Sequence, residues 1–300
     1  MIKCICCHGS LNKTDTGYSC SLCNKQFPLI EGIIQFSKEL PDAEYYFPDG
    51  GFDLLYTSEE KSFWFGIRNI IIGRLLQKYL PINSRLLEVG CGTGYVSGYL
   101  KKTGYNIECA DLFLEGLHYC QMRDSGNAYY RYNLYDEIFS EEFDGVLACD
   151  VIEHLEDDET VLKNFNRSLK TGGIMLLTVP ACNSLWSAMD NYAGHKRRYS
   201  PEELQKKCVT AGFNVIKISY FMMLLFPVIA LSRWCTRFQN SGRLKRDEKM
   251  KGKAKAELQL SPILNSIFYR IFSLEIPLIT HMNLPIGSSL VCIAKKERSL

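Results

Sequence analysis

The chain has 300 residues, of which 46% are hydrophobic and 23% charged, and its net charge is +2. That is enough for one large α/β domain with a small appendage, and too little net charge for the field of a polyanion-binding protein. The longest apolar run, Phe221 to Leu231, contains Pro227 and is well short of the ~20 residues a spanning helix needs. No early segment pairs a basic start and an apolar core with a small-residue cleavage site, so a cytoplasmic chain without a signal peptide is expected.

The first motif is cysteine-rich. Four of the 13 cysteines form two pairs, Cys4-x-x-Cys7 and Cys20-x-x-Cys23. Four thiolates so spaced can close a tetrahedron around one Zn²⁺. A segment of this size cannot bury enough apolar surface to hold itself, so a closed, structural metal site is expected at Cys4, Cys7, Cys20 and Cys23. Cys6 and His8 are spare ligands, and free thiols in a loop are the plainer alternative. Of the remaining cysteines, Cys109, Cys149 and Cys292 fall in apolar runs, where a thiol acts as a small buried hydrophobe. That scatter suits a reducing compartment better than a disulfide framework. The continuation Phe27-Pro28-Leu29-Ile30-Glu31-Gly32-Ile33-Ile34 resembles the zinc-ribbon activators that partner tRNA and rRNA methyltransferases. The resemblance covers residues 1–37 and does not specify an acceptor, because such ribbons also precede methyltransferase domains of several substrate classes.

Residues 38–57, rich in Pro, Asp, Gly and Tyr, read as a connection. A helix is predicted from Ser58 to Tyr79, with Phe63, Ile67, Ile70, Ile71 and Leu75 near helical spacing and Pro81 as its stop. Trp64 and Arg68 lie four apart on one side of it, where a solvated arginine is the bland expectation.

The most informative stretch follows: Leu86-Leu87-Glu88-Val89-Gly90-Cys91-Gly92-Thr93-Gly94. An apolar strand ends in an acid, and three alternating glycines let the turn pass hard against a ligand. Asp111 ends the next apolar run, where a doubly wound fold places a carboxylate for ribose hydroxyls. A dinucleotide fingerprint would carry Gly-x-Gly-x-x-Gly, but here the third glycine comes one position early. Glu88 suits a ligand with a cationic amine better than one with two phosphates. A turn without a ligand and a nicotinamide site are the alternatives. The motif resembles the first motif of class I S-adenosylmethionine-dependent methyltransferases of the type 11/12 kind.

Strands near 85–89, 106–110, 128–132, 143–149, 174–179, 213–220 and 288–295 alternate with helices near 93–102, 113–122, 157–169 and 200–210. This implies a parallel α/β sheet. Ser200, Pro201, Glu203 and Gly212 mark the ends of the last helix. The resemblance implies a Rossmann-like seven-stranded sheet of order 3-2-1-4-5-7-6, its last strand antiparallel. Ligands of such sheets bind at the carboxyl ends of the strands: Glu88 with Gly90, Cys91, Gly92 and Gly94, then Asp111-Leu112, Asn133-Leu134 and Cys149-Asp150. The family pattern assigns Asp111 to the ribose, Asn133 to the adenine edge and Leu134 to the base. Asn133 departs from the usual Asp there and keeps an acceptor. The same pattern makes the helix before the first strand a cofactor cover, whose Arg68 would meet the donor's carboxylate.

Asp150-Val151-Ile152-Glu153-His154-Leu155 resembles the Glu-His-Leu segment of quinone-pathway and small-molecule O- and C-methylating enzymes. It does not resemble the Asp/Asn-Pro-Pro-Tyr motif of enzymes that methylate nucleic-acid amines. His154 is a candidate base, or else a histidine that packs beside the cofactor. His195 is the second candidate. It lies in Trp186–Ser200, a loop dense in Trp, Tyr, His and Arg that suits anionic or glycosidic ligands. This block resembles one in bacterial methyltransferases encoded near polysaccharide and lipid-glycan pathways. A basic loop closing over the sheet is its plainer reading.

An insert at about 221–284 precedes the last strand. It has an apolar stretch from Tyr220 to Phe238 with Arg233 and Arg237, and a basic run (Arg243, Lys245, Arg246, Lys249, Lys251, Lys253, Lys255). A stripe of Ile263, Ile267, Phe268, Ile271 and Phe272 follows and ends near Pro277. Such a pair of helices can lie on an anionic bilayer at the inner face of the membrane, or pack internally or in a dimer. The chain therefore reads as a ribbon (1–37), a linker with a covering helix (38–80) and a methyltransferase domain (81–300). Its acceptor is expected to be an oxygen, or a carbon, of a small molecule, glycan or lipid-linked intermediate. An RNA methyltransferase and a non-catalytic partner subunit are the rivals; nucleic acid is disfavoured because aromatic residues do not interleave the basic run.

Overall fold

The computed structural model describes residues 1–37, 47–227, 231, 252 and 260–297. The basic run from Arg243 to Lys255, Arg233, Arg237 and residues 38–46 of the linker lie outside the described residues.

Strands β5 (Arg85–Val89), β6 (Asn106–Asp111), β7 (Tyr129–Arg131), β8 (Phe143–Cys149) and β9 (Leu169–Pro180) run parallel. β11 (Ser289–Lys296) is antiparallel to both β9 and β10 (Phe213–Phe221). The order is β7-β6-β5-β8-β9-β11-β10, which is 3-2-1-4-5-7-6 when numbered from β5. The sheet does not stop at seven strands. It has eleven, because β1 (Leu11–Thr14), β2 (Gly17–Cys20), β3 (Gln26–Ile30) and β4 (Ile33–Gln35) continue it beyond β7.

The N-terminal module is therefore continuous with the main sheet. Glu31 and Gly32, both at positive φ, form the tight β3–β4 turn. The β4 strand then pairs in parallel with β7, Ile34 opposite Tyr130. Phe36 stacks on Tyr130 and meets Phe27 and Phe139. Sequence alone could not show this seam, because its partners are about a hundred positions apart.

Strands buried on both faces read as unbroken apolar runs, and β8 shows why. Its Val146 and Ala148 enter one core layer, with α5 (Asp158–Ser168) and α7 (Pro201–Thr210) through Phe165 and Leu204. Its Leu147 and Cys149 enter the other, with α2 (Phe63–Tyr79) and α3 (Tyr95–Lys102) through Ile71 and Leu100. Each fully buried aliphatic side chain contributes ~1.5–3 kcal/mol, so the two layers clamp the sheet from both sides.

The helix predicted from Ser58 to Tyr79 is two helices. The first, α1 (Gly51–Glu59), lies partly in the segment expected to be linker, because Phe52 is buried, stacks on Phe47 and meets Phe113 at a tilt. Extended backbone at Ser62 breaks the run before α2. α4 (Leu114–Met122) packs on β6 and β7. The expected loop Trp186–Ser200 contains a short helix, α6 (Ala188–Ala193), with Ser187 and Asp190 in a reciprocal capping box.

Two helices of the insert are described, α8 (Pro262–Ser273) and α9 (Glu275–His281). Phe268 and Phe272 pack on Phe63 of α2, while Ile263, Ile267 and Ile271 are exposed. Together they span Pro262–His281, long and apolar enough by length and composition to cross a membrane. Sequence reading passed over this stretch in favour of Phe221 to Leu231, because Arg270 and Glu275 interrupt its apolar run.

Candidate cofactor and acceptor site

The carboxyl ends of β5 to β8 converge on the glycine turn. Gly90, Gly92 and Gly94 have φ of 62°, 53° and 73°, the left-handed region that disfavours any side chain. Their surroundings differ. A Cβ on Gly90 would stand 2.5 Å from Val151 Cγ2, and one on Gly94 would stand 2.4 Å from Cys120 Sγ. A Cβ on Gly92 would meet nothing within 4 Å among the described residues. Packing explains two of the glycines; the third opens onto space in which a ligand can lie against bare backbone.

Asp111, 6% exposed, closes that space. Its Oδ2 accepts from the Gly92 N–H at 2.8 Å and its Oδ1 from the Phe113 N–H at 2.9 Å. Burial raises its pKa, against the pull of these two amides. Leu112 is buried beside it, and Cys91 sits below the turn with Cys109 and Cys120. Glu88 lies beneath the turn, where its carboxylate accepts from the Ser97 hydroxyl of α3. Burial pushes its pKa up to about 8. At the end of β7, Asn133 Oδ1 accepts from the Tyr135 N–H at 3.1 Å, and the Leu134 carbonyl accepts from Asn164.

Arg68 is not on a solvated face. It is 7% exposed and donates to Asp150 Oδ2 at 2.5 Å, with its guanidinium over Trp64. The α2 helix is thereby tied to the end of β8. Sequence reasoning missed a second tie across the same mouth. Thr93 Oγ1 donates to Glu59 Oε2 at 2.5 Å, and Arg123 donates to that carboxylate as well as to the Tyr56 carbonyl. No local pattern could have revealed it, since the three side chains come from α1, the glycine turn and the end of α4.

The turn after β8 meets the segment around α6. The His154 and His195 rings meet edge to face with centroids 4.9 Å apart. Burial lowers the His154 pKa to about 4, and the neighbouring His195 pulls the same way, so that ring is neutral near pH 7. His195 Nδ1 lies 3.1 Å from Asp190 Oδ1, which also accepts from Arg198 Nε at 2.7 Å. Glu153, between the two histidines and β8, is fully buried, and neither of its oxygens has a hydrogen-bond partner among the described residues. The cationic residues of the loop are engaged locally: Lys196 with Glu156, Arg197 with Asp158, Arg198 with Asp190.

At the other end of the sheet, the Cys4, Cys7, Cys20 and Cys23 sulfurs all lie within 4.8 Å of one another. Cys4 and Cys23 are 3.6 Å apart, and Cys7 and Cys20 are 3.4 Å apart. The N–H of Cys23, with that of Leu22, holds the Cys20 thiol down at about 6. Cys23, despite the N–H of Lys25, is pushed up to about 12 by burial and by the neighbouring sulfurs. Four thiols this crowded cannot all ionise without a cation among them. Cys6 is exposed and outside the cluster.

An open glycine turn at the switch point of a 3-2-1-4-5-7-6 sheet, faced by a carboxylate on the next strand, is the architecture of a class I S-adenosylmethionine-dependent methyltransferase. Residues 67–218 match the methyltransferase domain family, and the chain belongs to it. It is 30% identical over 143 residues to the malonyl-[acyl-carrier protein] O-methyltransferase of Hamiltonella defensa, covering 45% of this chain and 55% of that protein. It is 24% identical over 197 residues to the ubiquinone biosynthesis O-methyltransferase of Agrobacterium fabrum, covering 58% and 78%. The chain spans about half the length of the first curated relatives it matches. Among solved structures, a chain from the complex of the Haloferax volcanii Trm112 methyltransferase activator with a methyltransferase aligns with TM-score 0.53 at 16% identity. That alignment covers 82% of this chain and 98% of that one. Haemonchus contortus phosphoethanolamine N-methyltransferase 2, solved with S-adenosyl-L-methionine, aligns with TM-score 0.53 at 18% identity, covering 84% and 58%.

Proposed function

We propose that this chain transfers a methyl group from S-adenosylmethionine to an oxygen (or a carbon) of a small-molecule, glycan or lipid-linked acceptor. The observation that carries the reading is the pairing of Gly92, whose Cβ position is open, with Asp111, whose carboxylate faces the same turn. The donor supplies a methyl already activated on a cationic sulfur. The chain's own residues then have to hold, align and exclude water, and alignment is the larger part of the rate. In this reading Asp111 takes the ribose hydroxyls, and Asn133 and Leu134 take the adenine. Leu112, Cys91 and the backbone of Gly90 to Gly94 wall the pocket. Arg68 and Asp150 flank the amino-acid end, and Glu88 supports the turn from below through Ser97. His154 and His195 face the acceptor. The names of the O-methylating relatives support oxygen as the target.

A structural Zn²⁺ held by Cys4, Cys7, Cys20 and Cys23 belongs to the same proposal; the crowding of the four sulfurs supports it. So does peripheral contact of the insert with an anionic bilayer, supported by the exposed Ile263, Ile267 and Ile271 and by the basic run that precedes them in sequence.

Calorimetry tests the central claim. S-adenosylmethionine should bind the purified chain with about one site per molecule, and Gly92→Val and Asp111→Ala should each weaken binding at least tenfold. No heat from the unmutated chain would reject the assignment. An untargeted search for labelled methyl products would then identify the acceptor.

A further inference from the structure

Glu153 is the least explained side chain in the molecule. It is fully buried, and both its oxygens are without a hydrogen-bond partner among the described residues. A buried carboxylate left in that state is costly. The arginines nearest to it are engaged elsewhere, Arg68 by Asp150 and Arg198 by Asp190. What does face Glu153 is a pair of imidazoles: its oxygen and the ring nitrogens of His154 and His195 lie within 4.8 Å of one another.

Two imidazoles and a carboxylate are a donor set for first-row transition metals that leaves further coordination positions open. The supporting shell has the form such a site needs. Asp190, 2% exposed, sits against His195 Nδ1 at 3.1 Å and is itself fixed by the Ser187 capping box and Arg198. A carboxylate against one ring nitrogen is the arrangement that orients a histidine whose other nitrogen binds a metal. The cluster also stands where the reaction would occur. Val151, two residues before Glu153, fills the space beside Gly90 in the glycine turn.

We propose that Glu153, His154 and His195 bind a divalent first-row transition metal ion, which holds the acceptor's hydroxyl oxygen for methyl transfer. The role in transfer rests on the methyltransferase reading above; the metal site itself does not. Coordination of the hydroxyl eases loss of its proton to water. The oxygen then forms a bond to the methyl carbon as the carbon–sulfur bond breaks, and that electron pair stays on sulfur. The acceptor class this favours is a hydroxyl with a second oxygen donor close by, since two open positions on one ion can be filled together.

Manganese(II) tests the site, because its preference for oxygen and nitrogen ligands keeps it from the four-cysteine cluster. The full chain, its N-terminal metal left in place, is titrated with MnCl₂ while free Mn²⁺ is followed by electron paramagnetic resonance. About one bound ion per chain is expected, with affinity reduced at least tenfold in Glu153→Gln and in His195→Asn. Mn²⁺ should also raise the melting temperature of the unmutated chain and leave that of Glu153→Gln unchanged. Should Glu153→Gln fail to fold, His195→Asn, altered at a partly exposed ring, decides alone. Absence of Mn²⁺ binding, or equal binding by unmutated chain and variants, overturns the site. Calorimetry with S-adenosylmethionine on the same samples separates the two readings. Donor binding without Mn²⁺ binding sinks the metal site alone, and Mn²⁺ binding without donor binding upholds the site and sinks the cofactor assignment.

Discussion

At Glu88 a side chain that reads in sequence as a ligand contact is part of the core. It is 2% exposed and bonded to Ser97, with its pKa raised from 4.5 to about 8. The folded chain therefore keeps a proton that the unfolded chain releases above its ordinary pKa. With more protons bound in the folded state, stability falls as pH rises. The loss runs from about 4.5 up to about 8, at no more than ~1.4 kcal/mol per pH unit. Glu88→Gln keeps the hydrogen-bond acceptor and has no charge to bury. Thermal melts from pH 5 to pH 8 should show the variant gaining on the unmutated chain as pH rises, by ~1 kcal/mol or more at the upper end. Parallel curves would show that Glu88 titrates normally.

The legibility of other residues followed how local their roles are. The glycine turn could be read because a strand end, a tight turn and a helix start are all encoded within ten positions, and Asp111 because it ends the adjacent strand. Arg68 could not be placed, since helical spacing does not say whether Asp150 waits on the far side. Glu153 was passed over for the histidine beside it, although its position in the same motif was the signal available.

Among the elements, strands and helices from Arg85 onward lie close to where periodicity puts them, because a parallel strand buried on both faces leaves an unambiguous apolar run. The division into α1 and α2 was hidden, since Ser62 carries no strong breaker signal and Phe52 finds its partners across the chain. The insert is the element whose sequence pattern and structure differ most usefully. Its stripe splits, Phe268 and Phe272 turning inward and the isoleucines outward. If the outward face meets an anionic bilayer, deletion of residues 241–259 should lower co-sedimentation with phosphatidylglycerol vesicles severalfold at low salt. An unchanged pellet fraction would instead assign the isoleucines to protein packing.

For the molecule as a whole, the N-terminal module decides where the sheet ends. Elemental analysis should find about one zinc per chain held by the four cysteines. Stripping it with a chelator should lower the melting temperature by several degrees, because the module's own core is small. A chain that is stable and metal-free as purified would refute the ribbon.

The seam between Ile34 and Tyr130 has a consequence for how the molecule tolerates damage. Were the first 37 residues clipped off, the remaining body would not be left with a finished border. It would carry a raw strand, Tyr129–Arg131, with the Tyr130 ring uncovered three positions from Asn133, and open strand borders recruit neighbours. Proteolysis at the front of this protein should thus appear as self-association and a slackened backbone around Asn133 at once.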